Sequence, residues 1–536
     1  MQFLTVPVAS AEGAILAHGQ RAAGHLFKKG RILSGDDIDV LRAGGIAQLT
    51  VARLEADDVG EDEAALQLAR LCAGEDVRVG AAFTGRANLY AEAAGVVTVD
   101  AAQINAFNSV HEAIAMATLP PFARVSARQM LATIKIIPFA VPKSALDAAA
   151  ALLPHPPMRL ARFQAQRAAL ILTHIEATKS SLLDKARNAV NERLQAQGSC
   201  LALERRVAHE PAALVPAILE ATQAGCELIL IFGASAITDR RDVIPAAIVE
   251  AGGRVVHFGM PVDPGNLLLL GQLGSATVIG LPGCAISPKL NGFDFVLWRL
   301  LARLPVTSRD LMDMGVGGLL SEIPLRPQPR DETTRMEARA PFVSAVVLAA
   351  GRSTRMGLNK LLEPLNGKPL IRYALEAALA SQADETIVVT GHDADAVRRA
   401  ISGLDVRVVH NPDYVKGLST SLQKGLSAIS ENSDGALMLL ADMPDVDAVL
   451  INRLIAAFAP QEGRAICLAS RHGKRGNPVL WARRFFSAMA ELDGDIGARN
   501  LLAIYPELIA EVEAGSDAPL TDIDTPEALA AFRARG

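Results

Sequence analysis

Aromatic residues are scarce in this 536-residue chain, at 4%, against a hydrophobic share of 50%. That excludes cores built on stacked rings and leaves aliphatic, alanine-rich packing. A chain this long outgrows a single hydrophobic core, so two to four domains are expected. Cysteines number five, at 72, 200, 226, 284 and 467, and none stands in C-x-x-C spacing. The pattern excludes a disulfide framework and a zinc site, and suits a reducing compartment. Excess positive charge is missing too. The net charge is −5 with pI near 6.1, which excludes a broad basic face for nucleic acid or anionic membrane. No apolar run approaches the ~18 residues of a membrane span, and Met1-Gln-Phe-Leu-Thr-Val-Pro7 lacks a basic leader. A soluble, cytoplasmic protein is expected, in which any phosphate site is local.

What is present centres on Leu348-Ala-Ala-Gly-Arg-Ser-Thr-Arg-Met-Gly-Leu-Asn-Lys360. The apolar run Ala345 to Ala350 leads straight into Gly351, as a buried parallel strand does. Further on, Pro369 opens a helical pattern. Gly351 and Gly357 let the backbone approach a bound anion, while Arg352, Arg355 and Lys360 bring positive charge to the same loop. Cradling of a polyphosphate is the chemistry implied. A Walker A loop is excluded, because these glycines stand six apart and leucine follows the lysine.

Residues 1–165 read as mixed. Lys28 to Leu33 predicts a strand, Ser34 a helix cap, Gly44-Gly45 a helix stop, and Gln48 to Leu54 and Met130 to Pro138 further strands. Polar groups in Phe83–Leu89 and Asn105–His111 are expected to cap turns rather than line a site. From about 166 to 323 the rhythm becomes βαβ, with strands at 168–173, 228–232, 254–258 and 277–281 and helices ended by Gly198, Gly225 and Gly252-Gly253. An open parallel sheet is predicted, with ligands beyond its carboxyl strand ends. Residues 324–341, rich in proline and charge, read as a linker. Residues 342–536 form a second α/β unit. There Asp442 follows the apolar strand 436–440, placed so that a divalent cation can bridge it to phosphate.

The pattern L-A-A-G-x-S-x-R-M-G-x-x-K resembles the signature loop of nucleotidyltransferases, specifically the molybdopterin cytidylyltransferase family. Gly476-Asn477-Pro478-Val479, Gly494-Asp495-Ile-Gly-Ala-Arg499 and Asp522-Ile-Asp524-Thr-Pro526 match further motifs of that family in order, so the resemblance spans about 343–534. It implies a Rossmann-like domain that transfers CMP from CTP to molybdopterin, with Mg²⁺ as cofactor. Ala349, Ala350, Gly351, Arg352, Ser353 and Gly357 would then hold the triphosphate, and Arg355 and Lys360 neutralise it. Asp442 and Asp524 would hold the metal, Ser419 and Ser421 would contact the nucleotide, and Asn477, Pro478 and Asp495 would face the pterin. A turn role for Asp495 and a cap before Pro526 for Asp522 and Asp524 stay open. Molybdoenzymes of the xanthine dehydrogenase type are the implied acceptors of the product.

The N-terminal half resembles molybdopterin-binding proteins of the molybdenum-insertion type. Gly233-Ala-Ser-Ala-Ile-Thr-Asp-Arg-Arg-Asp242 resembles their G-G-x-x-x-x-R-D loop, which implies Asp239 or Asp242 beside a pterin phosphate; a helix cap is the other reading of Asp242. Pro282-Gly-Cys284 resembles their L-P-G-N-P loop, with cysteine in place of asparagine, and alanine replaces glycine at Ala234. The fold expected overall is α/β with two doubly wound units. The alternatives are a GTP-using or other small-substrate nucleotidyltransferase, and an N-terminal half that only binds or hands over pterin.

Overall fold

The computed structural model describes residues 1–318, 339–352, 359–492 and 498–533, apart from the Arg499 side chain. The first 53 residues form a small unit in which strand Gln48–Arg53 pairs antiparallel with Gln2–Pro7 on one side and Ile15–Leu16 on the other. Ser34 and Asp37 make a reciprocal capping box on helix Gly35–Ala43. Lys28–Leu33 is not a strand. Ala23 and Gly24, both at positive φ, turn a hairpin between Gln20–Ala22 and His25–Phe27, and Gly30 at φ +86° bends the chain away.

Residues 54–165 carry a four-stranded antiparallel sheet, with helix Glu61–Cys72 packed on it. Asn108 spends its side chain on the Met116 backbone, at 2.9 and 2.8 Å, and His111 Nδ1 accepts from the Ala113 amide. Burial raises the pKa of Glu61, at the start of that helix, to about 7, despite Lys135 at 3.9 Å. Between its unfolded value near 4.5 and 7, the folded state therefore holds a proton that the unfolded chain releases. Stability contributed here falls as pH rises through that window and is constant above it. Glu61→Gln is expected to gain about 1–3 kcal/mol at pH 8 relative to the parent, and nothing near pH 4. Urea unfolding at both pH values checks this; equal gains at both would refute it.

The middle sheet comprises β1 (Arg167–His174), β2 (Cys200–Ala208), β3 (Leu228–Phe232), β4 (Arg254–Phe258), β5 (Leu269–Leu273) and β6 (Ala276–Leu281), in the order β2-β1-β3-β6-β5-β4. Alternate residues of β1 and β3 enter opposite cores. Leu170, Leu172 and Leu230 face one, while Ala169, Ile171, Ile229 and Ile231 face the other. The sheet is therefore covered on both sides, as a doubly wound unit requires. It is not wholly parallel, because β5 runs antiparallel to both β4 and β6.

The C-terminal sheet comprises β7 (Val343–Ala349), β8 (Glu385–Thr390), β9 (Arg407–His410), β10 (Gly435–Leu440), β11 (Ile466–Arg471), β12 (Lys474–Ala482) and β13 (Ile509–Glu513), in the order β9-β8-β7-β10-β12-β11-β13. The first four are parallel, and β12 is antiparallel to β10 and β11. Every residue of central β7 is buried. Residues 339–341, at the end of the expected linker, are held in place: Ala340 is buried and Arg339 pairs with Asp434 at 2.8 Å. The expected linker residues 324–338 lie outside the described residues. Among the described residues, no helix is long and apolar enough to cross a membrane.

Candidate active site

Three segments distant in sequence meet at the carboxyl ends of β7 and β10. From β7 the chain passes through Ala350, Gly351 and Arg352, and Lys360 opens a short 3-10 turn that the Asn359 side chain caps on the Leu361 amide. After β10, the Ala441 amide donates to the Leu348 carbonyl, leaving Asp442 at the sheet edge. The third segment precedes helix Pro526–Arg533. Its Ile523 amide donates to the Asp442 carbonyl at 3.0 Å, which brings Asp524 alongside.

Lys360 ties the three together. Its Nζ donates to Asp442 Oδ2 at 2.6 Å and to Asp524 Oδ1 at 2.5 Å, and its side chain is 12% exposed. Burial alone would lower the lysine pKa, but the two carboxylates outweigh it and hold the ammonium above its usual range. Asp442 Oδ1 is buried and has no hydrogen-bond partner among the described residues. An orphaned carboxylate oxygen beside a second carboxylate is a donor set that would suit a hard divalent cation such as Mg²⁺. Among the described residues, no group of three or more histidine, cysteine or acidic side chains is placed to hold a metal ion.

A cavity of about 420 Å³ opens above the cluster, lined by Ala350, Gly351, Arg352, Lys360, Ser421, Asp442 and Asp524 together with Tyr414 and Gly417. Ser421 arrives on helix α1 (Leu418–Leu426), which starts after Gly417 at φ +117°. Buried Asn411 organises that entry: its Nδ2 donates to Thr420 Oγ1 and Ser421 Oγ, both at 3.0 Å, and its Oδ1 accepts from the Asp413 amide. Ser419 is buried at the same helix start, its Oγ without a hydrogen-bond partner among the described residues. Ala349 is the buried last residue of β7.

Asn477 and buried Pro478 lie on β12 just before Val479, which pairs with Met438. They therefore run on toward the strand end that carries Asp442. Ser353, Arg355, Gly357 and Asp495 lie outside the described residues. Asp239 and Asp242 stand on the other sheet and do not join this cavity. Asp242 caps helix Val243–Glu250, accepting from the Val243 and Thr238 amides, and exposed Asp239 pairs with Arg241 at 2.8 Å.

Asn411, Tyr414 and Gly417 are additions that motif matching passed over. Their signal was an Asn-Pro pair directly after a strand, followed by a glycine before a helical run. Tyr414 also stands beside His392, with ring centroids 6.0 Å apart.

A glycine turn, a half-buried lysine and two carboxylates thus line one cleft at the carboxyl ends of parallel strands, where ligands of open α/β sheets bind. Comparison with known proteins makes that class specific. The MobA-like NTP transferase domain matches residues 345–512. The purine catabolism protein PucB of Bacillus subtilis is 34% identical over 203 residues, covering 35% of this chain and 95% of PucB. Nicotine blue oxidoreductase of Paenarthrobacter nicotinovorans is 29% identical over 195 residues, again 35% and 95%. Among solved structures, a nucleotidyl transferase from Methanothermobacter thermautotroptrophicus is 30% identical, with a TM-score of 0.33, over 36% of this chain and 97% of that one. Through its C-terminal part the chain belongs to the MobA-like NTP transferase family, and that part is a nucleotidyltransferase domain. Residues 5–53 match a domain of unknown function, DUF8806.

Proposed function

We propose that the chain transfers CMP from CTP to molybdopterin, giving molybdopterin cytosine dinucleotide and pyrophosphate. The observation that carries the reading is Lys360 held between Asp442 and Asp524 beneath the Gly351 turn, inside a MobA-like domain. An oxygen of the molybdopterin phosphate attacks the α-phosphorus of CTP. A new phosphoanhydride bond forms, and the bond from the α-phosphorus to the bridging oxygen breaks, releasing pyrophosphate with its electron pair. Such a reaction needs positioning and charge stabilisation rather than a covalent nucleophile. Gly351, Arg352 and Arg355 cradle and neutralise the triphosphate, and Lys360 accompanies the charge that moves to the leaving group. Asp442 and Asp524 would hold Mg²⁺, which would supply further neutralisation of the phosphate oxygens. Asn411 presets the Ser419–Ser421 turn, and Asn477, Pro478 and Asp495 face the pterin. The 166–323 unit binds the pterin around its 233–242 loop, and cytoplasmic molybdoenzymes of the xanthine dehydrogenase type receive the product. Incubation with molybdopterin and each NTP, followed by mass spectrometry of products, tests the reading; a product lacking the pterin would overturn it.

Nucleotide choice rests on Ala350, which lines the cavity and is buried. Its methyl lies where a Cβ on Gly391 would approach it to 2.7 Å, so this side of the cleft is tightly filled. A methyl group in a pocket is worth roughly 10–200-fold in specificity. CTP is expected to outcompete GTP at equal concentration, and Ala350→Gly to relax the preference without inverting it. A dominant guanine dinucleotide from the unmutated enzyme would sink the cytidyl assignment.

A further inference from the structure

Residues 1–165 meet the C-terminal domain mainly through cations of their own. Lys28 Nζ donates to the Ile509 carbonyl at 2.7 Å, on β13, the edge strand of the C-terminal sheet. Arg31 is locked by Asp37 at 2.8 Å and lies against the β11–β12 turn, where a Cβ on Gly473 would fall 1.9 Å from its guanidinium. Glu511 and Glu513 of β13 add their field to that arginine. At the amino end of the same sheet, Arg128 pairs with Asp384, its second nitrogen at 3.1 Å, and also donates to the Pro341 carbonyl. Arg78 donates to Gln382 at 3.3 Å, and Gln382 donates in return to the Val79 carbonyl at 3.1 Å. Arg86 faces Glu462 at 4.0 Å. Phe83 adds an apolar anchor, packing on the C-terminal core under Arg464.

We propose that residues 1–165 are a charge-complementary docking surface whose partner is the nucleotidyltransferase domain of the same chain. Within it, residues 5–53, of unknown function in the matching family, serve as the cap on edge strand β13. An uncovered edge strand is a site for unwanted pairing, and Lys28 occupies one of its carbonyls. Cations on one side and carboxylates on the other favour this pairing, and they make it salt-dependent.

The test uses the full chain with a protease site introduced between 324 and 338, cut after folding and run on a sizing column. The two pieces are expected to co-elute at about 50 mM salt and to separate toward about 1 M, where the Debye length shrinks to ~3 Å. Arg128→Glu combined with Lys28→Glu is expected to weaken reassociation by more than about tenfold at low salt. Separation of the unmutated pieces at low salt would overturn the proposal. So would co-elution that 1 M salt leaves unchanged, and that outcome does not depend on how the variant folds.

Discussion

Asp442→Ala is expected to lower nucleotidyl transfer by roughly 10²–10³-fold, the scale seen when one preorganised electrostatic contact to a developing charge is removed. Its carboxylate stands at the end of β10 with one oxygen on Lys360 and the other buried without a partner among the described residues. An oxygen so placed costs stability unless something fills it, and a bridging cation would. The fold should survive the substitution, because Lys360 keeps its bond to Asp524 and the Asp442 backbone keeps the Ile523 amide. Initial rates with CTP and Mg²⁺, alongside urea unfolding, separate the two effects. Near-full turnover by the variant would remove Asp442 from the metal site. Asp442→Asn should resemble Ala in rate, since an amide keeps the shape but not the charge.

Much of this was legible in the residues, and the reasons differ by element. Strands such as 228–232 could be read because a strand buried on both faces is a continuous aliphatic run. β2 escaped because it alternates, with Glu204, Arg205 and Arg206 in its middle, as an edge strand does. β5 escaped because it follows β4 without a helix, breaking the βαβ rhythm from which a parallel order was expected. At the site, Lys360 and Asp442 follow from motif and strand end, but their direct bond does not. Eighty-two positions separate them, and only the β7–β10 pairing brings them together. Asn411 was hidden for a different reason: its side chain meets backbone and hydroxyl groups, so nothing but the Asn-Pro turn marks it. The contacts between the halves are invisible in sequence, since surface arginines carry no sign of what they face.

Lys360→Met is expected to lower transfer by at least ~10²-fold while tightening divalent cation binding by about tenfold or more. The first effect follows from losing a cation near the leaving group. The second follows from what the ammonium does in the absence of nucleotide: it neutralises Asp442 and Asp524, so a divalent ion entering between the carboxylates has to displace it. Without Lys360 the two carboxylates lose the ammonium they share, and a cation entering between them gains the repulsion it relieves. The same logic sets the stability change. In chelator the variant should be less stable by about 1–3 kcal/mol, the scale of a hydrogen bond to a charged group. Added Mg²⁺ should close most of that gap, because a ligand that binds only the folded state stabilises it by mass action. Mn²⁺ titration followed by electron paramagnetic resonance measures the affinity without any turnover, and thermal unfolding with and without Mg²⁺ measures the linkage. If the variant binds Mn²⁺ no tighter than the parent, and its loss of stability is the same with Mg²⁺ as in chelator, then Lys360 and the metal do not share these carboxylates.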